Sequence, residues 1–239
     1  MDLTCDERPS DSPFVDCIWR SQSEHSPAPF ISMAQTHCGI VVTKYKDRTF
    51  LTVRGPETRA TPATGRSDAE FIGITFKAGV YLSSLPAKMT MDRRDVNLPE
   101  AAFNSFWLNG STWQYPDFEN ADTFINCLER QELLVYDPLV AEMGKGQPLG
   151  MSTRTMQRRY LQATGMTHTA LRQIERARYA TNLLKKGLSI LDTVFEAGYF
   201  DQPHLTRAMK YFVGLTPAQI IDQARSEKLS FLYKTKPFS

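Results

Sequence analysis

The sequence predicts an α+β protein of two domains, β-rich over residues 1–136 and all-α over 137–239. The first observation behind this is order. β-branched and aromatic runs fill the first hundred positions, and Gly- and Pro-punctuated helical periodicity fills the last hundred. Strands followed by helices argue for separate domains rather than an alternating sheet. The second is charge: residues 139–239 carry 15 Lys+Arg against 7 Asp+Glu, whereas residues 1–138 carry 13 against 19. A basic half joined to an acidic half points to a polyanionic partner such as nucleic acid, although an Arg-rich soluble helical domain has the same count.

At 239 residues each half can bury its own core. Hydrophobic content of 41% and charged content of 23% suit a globular chain. No apolar run approaches the ~20 residues of a membrane-spanning helix. The opening "MDLTCDERPSDSPF" lacks the apolar stretch of a secretory signal. A cytoplasmic location with no membrane partner is therefore expected. The cysteines (Cys5, Cys17, Cys38, Cys127) and histidines (His25, His37, His168, His204) lack metal-ligand spacing. No metal site, no cofactor and no catalytic nucleophile–base pair is expected, so the chain is not expected to be an enzyme.

Taken in order, the first ~30 residues are rich in Ser, Pro and Asp and read as a loose segment. "IVVTKY" and "TFLTVRG" form a hairpin around Lys46-Asp47-Arg48 that ends at Gly55-Pro56. "TRATPATGRSD" is a loop, and "AEFIGITFKAG" is the next strand, so residues 38–98 form a β-rich unit. Pro99 and Gly110 bracket a helix over 99–110, and a second helix covers 119–136, stopped by Asp137-Pro138.

In the helical half, Ser152 caps "STRTMQRRYLQATG", and Gly165 sits where a left-handed cap belongs. Met156, Tyr160 and Ala163 point inward, which leaves Thr153, Arg154, Gln157 and Arg158 outward. Arg offers a bidentate fork to guanine and Gln does so to adenine; the same residues also suit a solvated helix face. The long helix "HTALRQIERARYATNLLKKG" carries Leu171, Ile174, Ala177 and Leu184 on an inner stripe. Ser189, with Asp192 three residues on, starts a short helix that turns at Gly198. Asp201 then caps "DQPHLTRAMKYFVG", with Pro203 in its first turn. Leu205, Met209 and Phe212 pack inward, and Gln202, His204, Arg207 and Lys210 lie near or on the outer side. Helix, glycine turn and capped helix with a polar outer face make a helix-turn-helix layout.

"STRTMQRRY…ATGMT", "RARYATNLL" and "AGYFDQPHLTRAMKYFVGLTPAQI" together resemble the double helix-turn-helix signature of the AraC/XylS family of bacterial transcription regulators. The resemblance covers about residues 139–225. It implies two recognition helices, about 152–164 and 202–213, in successive major grooves of double-stranded DNA. Base contacts would fall on Arg154, Gln157, Arg158, Gln202, His204 and Arg207, and phosphate contacts on Thr155, Thr206 and Lys210. It also implies an N-terminal cupin-like or small β-barrel domain that senses or dimerises. Candidate partners are then a small-molecule effector, RNA polymerase and a second copy of the chain. Candidate pocket aromatics are Tyr45, Phe71, Phe76, Tyr81 and Trp107, each of which could equally be core.

The chain departs from the family pattern at "GKGQPLGMS". Gly144, Gly146, Pro148 and Gly150 replace a continuous apolar helix, with Gly costing ~1 kcal/mol and Pro ~3 kcal/mol in a helix interior. A short or distorted support is therefore expected under the first reading helix, with the second contributing more to specificity. The alternatives are a regulator without a small-molecule ligand, controlled by abundance or a protein partner, and a repair or metal-dependent enzyme with a DNA-binding tail.

Overall fold

The computed structural model describes residues 5–23, 29–64, 66–93, 96–138, 140 and 152–225. The first part is mostly β-sheet and the second is helical, the expected α+β layout. The main sheet is six-stranded and antiparallel, in the order β1 (Cys5–Arg8), β2 (Val15–Gln22), β7 (Ala69–Phe76), β4 (Gly39–Tyr45), β5 (Arg48–Arg54) and β9 (Val96–Asn97). The period-2 pattern explains its core. Ile18, Ile40, Val42, Leu51, Val53, Ile72, Ile74 and Phe76 are buried at alternate positions. Ile74 lies opposite both Ile18 and Ile40, so one face carries a continuous aliphatic layer. Helix α2 (Ala121–Arg130) covers it with Phe124, Ile125 and Leu128, and Phe106 joins the same core.

The 45–48 hairpin forms as expected, with Tyr45 paired to Arg48 and Lys46 at φ 53°. Four other expectations are corrected. Residues 5–22 are not loose: Val15, Cys17 and Ile18 are buried, and β2 pairs with β7 along its length. Part of the expected loop is a strand, β6 (Thr61–Thr64), which pairs with β3 (Pro29–Ser32).

The expected helix over 99–110 is instead a meander of β10 (Glu100–Ala101), β11 (Ser105–Leu108) and β12 (Ser111–Gln114). Phe103 and Asn104 take positive φ at one turn, and Asn109 (φ 51°) and Gly110 (φ 78°) do so at the other. Asn-Gly with both residues left-handed is the two-residue hairpin turn that follows the strand twist. Gly110 is thus a hairpin residue, not a helix stop. The helix expected over 119–136 ends at Arg130, because Glu132 turns left-handed at φ 55°. The β-prone Leu134–Tyr136 then forms β13, paired with β8 (Val80–Leu82). A short α1 (Ala87–Thr90) completes this part.

The helical part holds α3 (Thr153–Thr164), α4 (His168–Lys185), α5 (Ile190–Glu196), α6 (Gln202–Phe212) and α7 (Pro217–Arg225). α4 is its spine: Ala177, Ala180, Leu183 and Leu184 share a buried cluster with Leu205, Met209, Val213 and Ile220. The Gly- and Pro-rich stretch 144–150 lies outside the described residues.

Candidate nucleic-acid interface

The first candidate reading helix, α3, starts where Ser152 Oγ accepts from the Thr155 N–H at 3.3 Å. It ends at Gly165, left-handed at φ 72°. Tyr160 and Ala163 are buried and Met156 is half-buried, which turns Arg154, Gln157 and Arg158 into solvent. Thr155 is half-buried beside its cap, its hydroxyl 3.0 Å from that of Ser152. Of the neighbouring arginines, Arg159 turns away and donates to both oxygens of Asp137, at 3.1 and 3.3 Å.

α4 links the two candidate reading helices. Thr167, which the sequence reading passed over as a cap, accepts from the Ala170 N–H at 3.2 Å. Eighteen residues span about 27 Å. Several of its ionisable groups are half-buried. Burial pulls Lys185 down to about 8 and lowers Arg178, while burial raises the Glu175 carboxyl against the pull of Arg178. His37, of the N-terminal part, is pushed down to about 4 by its enclosure and by the charge of Arg178. Some of the basic excess of this half is therefore spent on internal packing. The exposed cations include Arg154, Arg158, Arg207 and Lys210.

In the second unit, Ser189 Oγ accepts from the Asp192 N–H at 3.1 Å and donates to its carboxylate at 2.6 Å. Gly198 turns the chain at φ 68°. Asp201 caps α6 by accepting from the His204 N–H at 2.6 Å, with Pro203 in the first turn. Leu205 and Met209 are fully buried and Phe212 half-buried, leaving Gln202, Arg207 and Lys210 exposed and Thr206 half-buried. His204 sits at the flank of this face. It is half-buried, its ring edge-on to Tyr199 at 5.1 Å. Sequence reasoning missed four exposed apolar residues around the two units: Leu161 (45%), Leu191 (70%), Phe195 (82%) and Phe200 (90%). Phe200 carried a usable signal, an aromatic wedged between a turn glycine and a capping aspartate.

Both candidate reading helices end against the β-rich part. Gly165 approaches the backbone of Ala87 and Lys88, and Gly214, at φ 82°, lies against Ile31 and Ala60. A Cβ on Gly214 would meet Ile31 at 2.5 Å. The last carbonyls of α6 are satisfied from across this contact: Ala34 N–H donates to Phe212 O and Ala60 N–H to Tyr211 O, each at 2.8 Å.

The candidate pocket aromatics do not all line one face. Phe71 and Phe76 lie on opposite faces of β7, since they are five residues apart in a strand. Tyr45 stacks under Arg66, Tyr81 lies half-buried between two clusters, and Trp107 is 46% exposed on β11. Among the described residues no group of three or more His, Cys, Asp or Glu is placed to hold a metal, and no helix is long and apolar enough to cross a membrane.

A family model described as "Helix-turn-helix domain" matches residues 147–223, about a third of the chain. The helical part is thus similar to helix-turn-helix domains. Such domains bind DNA through a helix laid in the major groove, and the match supports a role in transcription regulation. No curated protein and no solved structure matches the chain.

Proposed function

We propose that the chain is a sequence-specific DNA-binding transcription regulator of the AraC/XylS type, and not an enzyme, that places α3 and α6 in successive major grooves. The observation that carries the reading is duplication. Two capped helices, joined by one rigid helix, each expose a face of Arg and Gln while burying the opposite stripe. The connector of about 27 Å is of the scale of the ~34 Å DNA turn. In this reading Arg154, Gln157, Arg158, Gln202 and Arg207 meet base edges, with His204 at the flank. Thr155, Thr206 and Lys210 meet phosphates, which position the protein without reading sequence.

The N-terminal part is the regulatory body of this reading, because it holds the ends of both reading helices. Whatever shifts Ile31–Ala34, Ala60 or Ala87–Lys88 moves the readers. The test begins with the full chain selecting fragments from genomic DNA, followed by sequencing. The enriched motif is expected to have two half-sites about one helical turn apart. Affinity for that duplex should then fall steeply with salt, ~10³-fold or more from 50 to 200 mM if six or more phosphates are neutralised. A flat salt response, or no enriched motif, refutes the proposal.

A further inference from the structure

We propose that Phe200 is a specificity-determining residue whose ring packs on the C5-methyl group of a thymine in the half-site read by α6. The inference rests on the DNA-reading proposal above.

Phe200 is 90% exposed although the chain on either side of it is fixed. Tyr199 is buried, with the Arg176 guanidinium 4.3 Å over its ring and His204 edge-on to it. Arg176 also donates to the Gly198 carbonyl at 3.3 Å, which ties the turn to α4. On the other side Asp201 is held as the cap of α6. The ring between these two anchors is therefore presented to solvent in a set place. An apolar residue just before a cap ordinarily folds back on the fourth helical residue. Here that residue is Leu205, which is fully buried, and Phe200 stays exposed instead of covering it.

The location selects the occupant. The first residues of a recognition helix are those that approach base edges, and Phe200 lies two positions before the exposed Gln202. Among the groups displayed in the major groove, the thymine methyl is the apolar one. An aromatic ring gains nothing from the donors and acceptors of the other bases, so its presence biases one position toward thymine.

The experiment uses the duplex selected by the full chain. Each thymine of the α6 half-site is replaced singly by deoxyuridine, which deletes the methyl and keeps the pairing. One such replacement is expected to weaken wild-type binding about fourfold, the worth of one buried CH₂. Phe200→Ala should bind the thymine and uracil duplexes equally, and selection with this variant should lose the thymine preference at that position. Unchanged circular dichroism and unfolding midpoint are expected for so exposed a side chain and establish that the variant is folded. Wild-type indifference to every deoxyuridine, or a Phe200→Ala variant that keeps the uracil penalty, overturns the proposal. So does an equal loss on thymine and uracil duplexes alike, which would place the ring on a deoxyribose. Failure of the wild-type chain to select any motif overturns the DNA reading itself, and this contact with it.

Discussion

α6 begins at a charged cap and a first-turn proline, and its buried stripe closes on α4 and α7, with Ile31 and Met33 of the β-rich part packed against the same cluster. α3 begins at a neutral serine cap with a longer bond, 3.3 Å against 2.6 Å. Its buried residues Tyr160 and Ala163 share their cluster with Val140 and Leu171 and with Ala78 and Tyr81 of the β-rich part. Both helices thus lean on the β-rich part, α6 at the edge of its cluster and at its last carbonyls, α3 through its buried stripe itself. The difference lies at the N-terminal turns, where the charged cap holds α6 more firmly than the serine holds α3.

The largest expected effect is on affinity. A bidentate arginine–guanine pair contributes ~1–3 kcal/mol, roughly tenfold to a hundredfold. Arg207→Ala should fall near the upper end, because α6 presents its side chain from a fixed frame. Arg158→Ala should fall near the lower end, since α3 can yield and lose less. Titration of both variants on the same selected duplex makes the comparison. A greater loss from Arg158→Ala reverses the ranking of the two readers.

The caps should show the same asymmetry at smaller scale. A carboxylate accepting from a first-turn N–H is charge-assisted and sits at the positive end of the helix dipole. Asp201→Ala is expected to cost ~1–2 kcal/mol and Ser152→Ala ~0.5–1 kcal/mol. Hydrogen exchange of the first-turn amides in each helix reads the two losses separately. Equal losses would mean that the serine cap holds as well as the aspartate.

Much of the helical half was legible because its signals are local. Ser152, Gly165, Ser189, Gly198, Asp201 and Pro203 each act within a few residues of chain, and each sits in the expected role. The meander at 100–114 was misread because Pro99 and Gly110 also suit a helix's two ends. The Asn109-Gly110 pair, flanked by Leu108 and Ser111, was the stronger signal. The burial of β2 was hidden because its partner, β7, lies some fifty residues away. Composition alone made the segment look loose. The outward faces of Arg154, Gln157, Arg158 and Arg207 followed from helical period, but the flanking place of His204 did not. That depends on Tyr199, whose inward turn at Gly198 no periodicity announces.

The smallest effect concerns the ion pair of Arg159 with Asp137, which ties α3 to the end of the β-rich part. Arg159 reaches both carboxylate oxygens, and the Asp137 side chain is only 17% exposed while that of Arg159 is 40% exposed. Partly exposed pairs of this kind contribute ~0.2–1 kcal/mol and weaken with salt. A double-mutant cycle with Asp137→Asn and Arg159→Gln should give a coupling within that range. The change should appear as faster amide exchange in α3 and leave α6 unaltered, because α6 takes its N-terminal-part contacts from Ala34 and Ala60 instead. Exchange that quickened equally in both helices would mean that the two readers respond as one body, and the difference in their support would then have no mechanical consequence.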